Sequence, residues 1–386
     1  MKYNTIFFSL VILICLIVII GYLIFKKEWL VVGGYQIAYF KLSDSLDYKA
    51  KQSLDLNQAM KDVISAYGLN NILPAQNYFK SNFVLWETLN NIDSLVAKTL
   101  YPKDVAYVYG IAGTDKLASK SNLCYYLRNA LKPEVVDEII PKTYILVILA
   151  DRDKFINEFR RNKKVYILKK NLQRQEGHFI TDNFDAALSK INDDSERAWV
   201  VAQEMLQDPY IISGRKVNLR IYFLITVSET GNVDFYIYKN GFMYYTAKEF
   251  IVNSVLPEHI ITTGYIDRQV YKDNPLTLFD LKKYMGDDMY LKMFDKILAL
   301  FSNLKKAYAQ NLYIDNKNIP GNKFLVYGCD IAPDKNLNVK IMEINKGPDL
   351  SYKDDRDKQV KFNMMRDAFN IMGMVRCEEV NDFVRI

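Results

Sequence analysis

The chain has 386 residues, 50% of them apolar and 25% charged, which suits a globular protein large enough for two or three subdomains. Tyr (28) and Phe (21) are plentiful while Gly and Pro are modest, which argues against disordered, collagen-like and disulfide-scaffold classes. Four dispersed cysteines without C-x-x-C spacing and only two histidines leave little material for a zinc cluster or a Ser–His–Asp triad, and the net charge of +6 is too thinly spread to argue for nucleic acid, although it suits an acidic partner.

The first element is an apolar run, Ile6–Phe25, followed at once by Lys26, Lys27 and Trp29. About 20 residues at a helical rise span a bilayer core, so residues 1–30 are expected to form a single-pass transmembrane anchor. A signal peptide would have a shorter apolar core and a small-residue cleavage site, and neither is evident. The lysines after the run favour a cytosolic body. Residues 31–142 read as a connector and a small N-terminal α/β domain. It holds a helix over Leu56–Gly68, a strand over Asp104–Gly110 and a helix over Leu117–Leu131. Residues 143–386 read as a larger α+β body. Its expected strands are Thr143–Leu149, Lys164–Lys169, Trp199–Leu206, Lys216–Val227 and Val233–Lys239. A final hairpin is expected over Lys323–Ile331 and Leu337–Ile344. Its expected helices are Arg152–Arg161, Phe184–Lys190, Leu276–Gln310 and Lys358–Met372. Most strand pairs are expected to be antiparallel.

Four segments could carry chemistry. In FLVYGCDIAPDKNLNVKIMEIN the turn Pro333–Asn336 lies near the midpoint between Asp330 and Glu343, so an antiparallel hairpin brings these two carboxylates together. Asn345 shares the face of Glu343, and Met342 and Ile344 are expected on the opposite, core face. Three oxygen donors suit Mg²⁺ with phosphate oxygens completing its shell; the other reading is a solvated hairpin with incidental acids. In SGRKVNLRIYF, Lys216, Asn218 and Arg220 project to one face, either as cations for phosphate oxygens or as an ordinary exposed strand face. The stretch YILKKNLQRQEGHFI places Lys169 and Lys170 before a polar loop with one glycine, Gly177. It could be a phosphate-covering loop or a basic surface turn. In WVVAQEML, Gln203, Glu204, Met205 and Leu206 could offer an edge backbone to adenine, or form an ordinary strand. His259 reads as structural, and His178 has no role assignable from sequence.

Taken in order, these segments resemble the tubulin–tyrosine ligase-like family, whose fold is ATP-grasp, two α+β subdomains gripping ATP. The resemblance covers about residues 100–372. It is most specific in NLRIY and in YGCDIAPDKNLNVKIMEINKGPDL, and IPKTYIL, YKNGFMYYT and EHIITTGY also match. It implies that Asp330, Glu343 and Asn345 are Mg²⁺ ligands. Lys216 and Arg220 then meet the phosphates and the reacting carboxylate, residues Gln203–Leu206 bind adenine, and Lys169 or Lys170, with Lys170 preferred, covers the phosphates with Gly177. The implied reaction is ATP- and Mg²⁺-dependent joining of a free amino acid to a protein carboxylate, through an acyl phosphate, on an acidic tubulin-like tail. An acceptor other than tubulin, a small-molecule acceptor, and a membrane-tethered ATP-binding module without catalysis are the alternatives. The chain departs from the family pattern at Asn218, where the family has Asp, in its single-glycine loop, and near Tyr244 and Tyr245, where the family has Arg.

Overall fold

The structure, a computed structural model, describes residues 36–41, 49–50, 58–69, 71–72, 83–86, 92–101, 103–162, 164–171, 177–193, 198–263 and 269–386. The apolar run Ile6–Phe25 lies outside the described residues. Among those described, no helix is long and apolar enough to cross a membrane.

Among the described residues sixteen strands form two sheets. In chain order they are β1 (Gln36–Lys41), β2 (Lys49–Ala50), β3 (Asn71–Ile72), β4 (Phe83–Trp86), β5 (Tyr107–Tyr109), β6 (Thr143–Ile145), β7 (Tyr166–Lys169), β8 (His178–Thr181), β9 (Val201–Glu204), β10 (Ile211–Ile212), β11 (Arg215–Val227), β12 (Val233–Thr246), β13 (Thr262–Thr263), β14 (Asn322–Pro333), β15 (Val339–Asn345) and β16 (Phe383–Arg385). The large sheet has 12 strands along the path β13-β12-β11-β14-β5-β4-β1-β2, with β10, β15, β16 and β3 added at its sides. The small sheet has the order β6-β9-β7-β8 and is wholly antiparallel.

The centre of the large sheet is buried on both faces, which is why β11 reads KVNLRIYFLITV with scarcely a polar residue in its second half. Alternate residues of β14 show the two layers. Tyr327 stacks with Phe223 at 4.9 Å, and Phe223 meets Phe301 of the helix Asp287–Asn316 at 4.9 Å. On the other face Phe324 meets Phe369 of the helix Asp355–Ile371 at 5.7 Å. The small sheet packs Tyr144, Tyr166 and Trp199 against Phe155 and Phe159 of the helix Leu149–Arg161. Its other face carries Val165, Ile167 and Met205, which meet Ile260.

Several expected boundaries move for identifiable reasons. The apolar run after Thr143 is a strand only as far as Ile145, because the Asp151 carboxylate accepts from the Ile145 amide at 2.6 Å and turns the chain into a helix at Leu149. Val147 and Leu149 are left exposed. The helix expected over Leu276–Gln310 is two helices. Thr277 and Asp280 form a capping box for the helix Leu278–Met285, and Gly286 at φ +83° breaks the path before Asp287. Strand β12 continues past Lys239 to Thr246.

Candidate active site

The hairpin of β14 and β15 closes through Asp334, whose carboxylate accepts from the amides of Asn336 and Asn338 at 2.8 Å each, with Leu337 at φ +59°. Asp330 and Glu343 are direct cross-strand partners, and Arg220 on β11 is the partner of Asp330 on its other side. Three charged residues therefore stand in one row across three strands. Arg220 grips Asp330 in a two-point ion pair, Nε to Oδ1 at 2.7 Å and a terminal nitrogen to Oδ2 at 3.0 Å. Its guanidinium also lies over the Tyr244 ring at 5.0 Å. Tyr244 thus stands on β12 in the stretch where the resemblance expects an arginine. A side chain at Gly328 would come within 3.2 Å of the Arg220 side chain, so glycine leaves the room that Arg220 fills.

A β-bulge between Asp330 and Ile331 breaks the alternation of β15. Met342 is consequently not in the core, as strict alternation would have it. It is half-buried and lines the cleft together with Glu343, while Ile341 and Ile344 are buried. Glu343 receives a hydrogen bond from Lys120 Nζ at 2.9 Å, brought by the helix Lys120–Ala130. Burial pushes the Glu343 carboxyl up, but Lys120 and Lys169 outweigh it and hold the group below the ordinary carboxylate range. Asn345 is two residues further along β15, paired in register with Gly328.

Facing this row is a cleft of about 580 Å³ between the two sheets, lined among others by Lys169, His178, Met205, Lys216, Asp330 and Glu343. Lys169 and Lys216 are 5% and 2% exposed. The hydrogen-bond acceptors the structure gives them are neutral: Gln203 Oε1 at 2.7 Å and the Met342 carbonyl at 3.5 Å for Lys169, and the Ile260 carbonyl at 3.1 Å for Lys216. Burial, for Lys216 reinforced by the charge of Lys169, pushes both ammonium groups down to about 8. His178 is held neutral, pushed down to about 4 by burial and then by Lys169. Its Nδ1 and the Oδ1 of Asn218, both on the wall of the same cleft, are buried without a hydrogen-bond partner. The cleft thus presents buried positive charge and unsatisfied polar atoms to whatever fills it.

The other expected site residues divide. Lys169 points into the cleft, whereas Lys170 lies over the Trp199 ring at 4.6 Å. The Lys170 amide donates to the carbonyl of Gly177, which sits at φ +76°. Gln203 is held between Lys169 and Thr143 Oγ1, the latter at 2.9 Å, and Met205 lines the cleft. Glu204 turns outward to Lys164 at 2.6 Å, and Leu206 follows the strand half-buried. The expected open edge is corrected here: β9 lies between β6 and β7, and the amides of Glu204 and Met205 donate to Lys142 and Val165. From sequence alone His178 is assigned no role and Lys120 is not singled out. Lys120 is 223 residues from Glu343, so no local pattern could have joined them.

Among the described residues no group of three or more His, Cys, Asp or Glu side chains is arranged to hold a metal ion. The candidate donor set is two carboxylates and an amide. Each carboxylate oxygen has lone pairs beyond those used by Arg220 and Lys120, so these hard oxygen donors suit a hard divalent cation that shares them with phosphate.

The model of the tubulin-tyrosine ligase family matches residues 111–381, and the chain belongs to that family. Among its relatives, the probable tubulin polyglutamylase TTLL9 of Bos taurus is 28% identical over 186 residues, covering 45% of this chain and 38% of the relative. The probable alpha-tubulin polyglutamylase Ttll1 of Tetrahymena thermophila is 26% identical over 259 residues, covering 61% and 60%. The tubulin glycylase 3B of Drosophila melanogaster is 23% identical over 228 residues, covering 55% and 29%. The matched part thus spans less than two thirds of each of these relatives.

Proposed function

We propose that this chain is an ATP- and Mg²⁺-dependent carboxylate–amine ligase that adds an amino acid to a carboxylate of a protein acceptor with an acidic, tubulin-like tail. In the same reading Ile6–Phe25 is a single-pass membrane anchor and the body lies in the cytosol. The observation that carries the nucleotide part is the pair of buried ammonium groups, Lys169 and Lys216, set against neutral acceptors only and facing Asp330 and Glu343. Phosphate oxygens supply the anionic hydrogen-bond partners that this pair lacks. The family and the names of the relatives favour a tubulin-like acceptor.

Lys169 and Lys216 bind phosphate oxygens, while Gln203 and Met205 border the base. Asp330, Glu343 and Asn345 would hold Mg²⁺, which would supply neutralisation of the phosphate charge. Arg220, fixed by Asp330 and Tyr244, orients the acceptor carboxylate and offsets charge at the transferring phosphoryl group. The carboxylate oxygen attacks the γ-phosphorus and ADP leaves. The amino-acid amine then attacks the acyl carbon, phosphate leaves, and the amine proton passes to solvent. No side-chain nucleophile is required. The test is incubation of the chain with MgATP, tubulin and each amino acid in turn, read by mass spectrometry of the tubulin tails. Mass increments of one amino acid, with matching ADP, are expected. ADP binding and tight MgATP binding without an increment on any acidic tail would overturn the ligase reading.

A further inference from the structure

We infer that the end of the large sheet at which β1, β5 and β14 begin is a lipid-facing surface, which holds the nucleotide cleft on the side of the domain away from the bilayer. The inference rests on the membrane-anchor part of the reading above and not on its ligase part.

The topology fixes where the chain enters the domain. Strands β1, β4, β5 and β14 are mutually parallel, and Ile37, Phe83, Tyr107 and Asn322 form one row of register partners across them. Gln36, which opens β1, therefore lies at the same end as Asn322, and Val227 at the end of β11 faces Lys323 there. The eleven peptide steps from Phe25 to Gln36 reach at most about 40 Å. A bilayer that holds Ile6–Phe25 thus lies within that reach of this end, and the chemistry of the surface selects which side of the domain faces it. Asp330 is eight residues further along β14, roughly 26 Å away at a strand rise. The hairpin turn at Asp334 lies beyond it.

The surface at this end has the chemistry of a bilayer contact. The link from the helix Ile92–Lys98 into β5 arrives here, with Asn322 donating to the Ala106 carbonyl at 2.8 Å. It carries Leu100, 75% exposed, between the exposed Lys98 and Lys103. The long helix ends beside it with Tyr313 and Ile314 exposed and Lys317 following. Its place is fixed by the Tyr313 ring, which lies against Gly231 in the β11–β12 turn. Protruding apolar side chains among lysines suit the headgroup region of an anionic leaflet; among the described residues Asp104 and Glu229 are the exposed acids at the same end. A second apolar patch, Ile251, Val252 and Leu256, lies beyond Thr246, toward the opposite end of the sheet, and offers a contrasting orientation.

The experiment is amide hydrogen exchange of the full chain, in detergent and after return to vesicles of phosphatidylcholine and phosphatidylserine. Exchange in 99–104, 228–232 and 313–321 is expected to slow about fivefold or more on vesicles, with 251–256 and 334–338 unchanged. The double variant Leu100→Glu, Ile314→Glu should stay with the vesicles, keep its thermal shift with MgATP and lose that slowing. Slowing at 251–256 or 334–338 instead, slowing that survives in the double variant, or failure of the chain to associate with vesicles would each overturn the inference. Amino-acid transfer to tubulin is read separately, so failure of the ligase reading leaves these outcomes intact.

Discussion

The charged groups of the cleft are settled in two different ways. Asp330 and Glu343 each have a cation, Arg220 from the neighbouring strand and Lys120 from a distant helix. Lys169 and Lys216 are buried more deeply, yet their acceptors are carbonyl and amide oxygens. A paired row of this kind is self-sufficient without ligand. An unpaired ammonium costs free energy until an anion arrives, so the two lysines report what the cleft is for more directly than the carboxylates do.

The comparison can be broken at each part. The largest effect is expected from Glu343→Gln, which weakens the proposed Mg²⁺ site and removes the carboxylate to which Lys120 donates; amino-acid transfer should fall at least about a hundredfold, measured by ADP release with acceptor present. Lys216→Met comes next and separates stability from binding. A lysine whose folded value is about 8, against an ordinary value near 10.5, destabilises the fold fully below pH 8 and not at all above about pH 10.5. The penalty is on the order of 3 kcal/mol. Without nucleotide the variant should therefore melt a few degrees higher at pH 7, with the gain shrinking as pH rises toward 10, while its affinity for MgATP drops at least about tenfold. A lower melting temperature at pH 7 would mean that Lys216 is already neutralised in the free protein. Arg220→Lys keeps the charge but loses the two-point grip, and a loss of about tenfold in turnover with little change in nucleotide affinity is expected. Smallest of all, Lys170→Met should change MgATP affinity by less than about threefold, because its ammonium lies over Trp199, whereas Lys169→Met should match the Lys216 variant. Equal losses at 169 and 170 would remove the distinction.

The hairpin was legible because its chemistry is local. A Pro-Asp turn and a two-residue alternation suffice to set Asp330 against Glu343. The Lys216–Arg220 strand was legible for the same reason. The bulge that moves Met342 into the cleft was not, since a single extra residue leaves no trace in an otherwise regular pattern. Thr143–Leu149 misled because an apolar β-branched run reads as strand, and only the long-range capture of the Ile145 amide by Asp151 ends it. Lys120 and the place of β9 inside its sheet depend on contacts across the whole chain. The choice between Lys169 and Lys170 turned on the direction of two adjacent side chains at the end of β7, one toward Gln203 and one toward Trp199.

The claim that the buried lysines await phosphate is tested most directly by titration calorimetry of MgATP at pH 8, in two buffers of different ionisation enthalpy. Near that pH each ammonium is part-deprotonated in the free protein, and an anion placed against it raises its proton affinity. Net proton uptake on binding is predicted, seen as a heat that changes with the buffer, and lost together with affinity in Lys169→Met and Lys216→Met. Binding with the same heat in both buffers, or no binding of MgATP, would contradict the account.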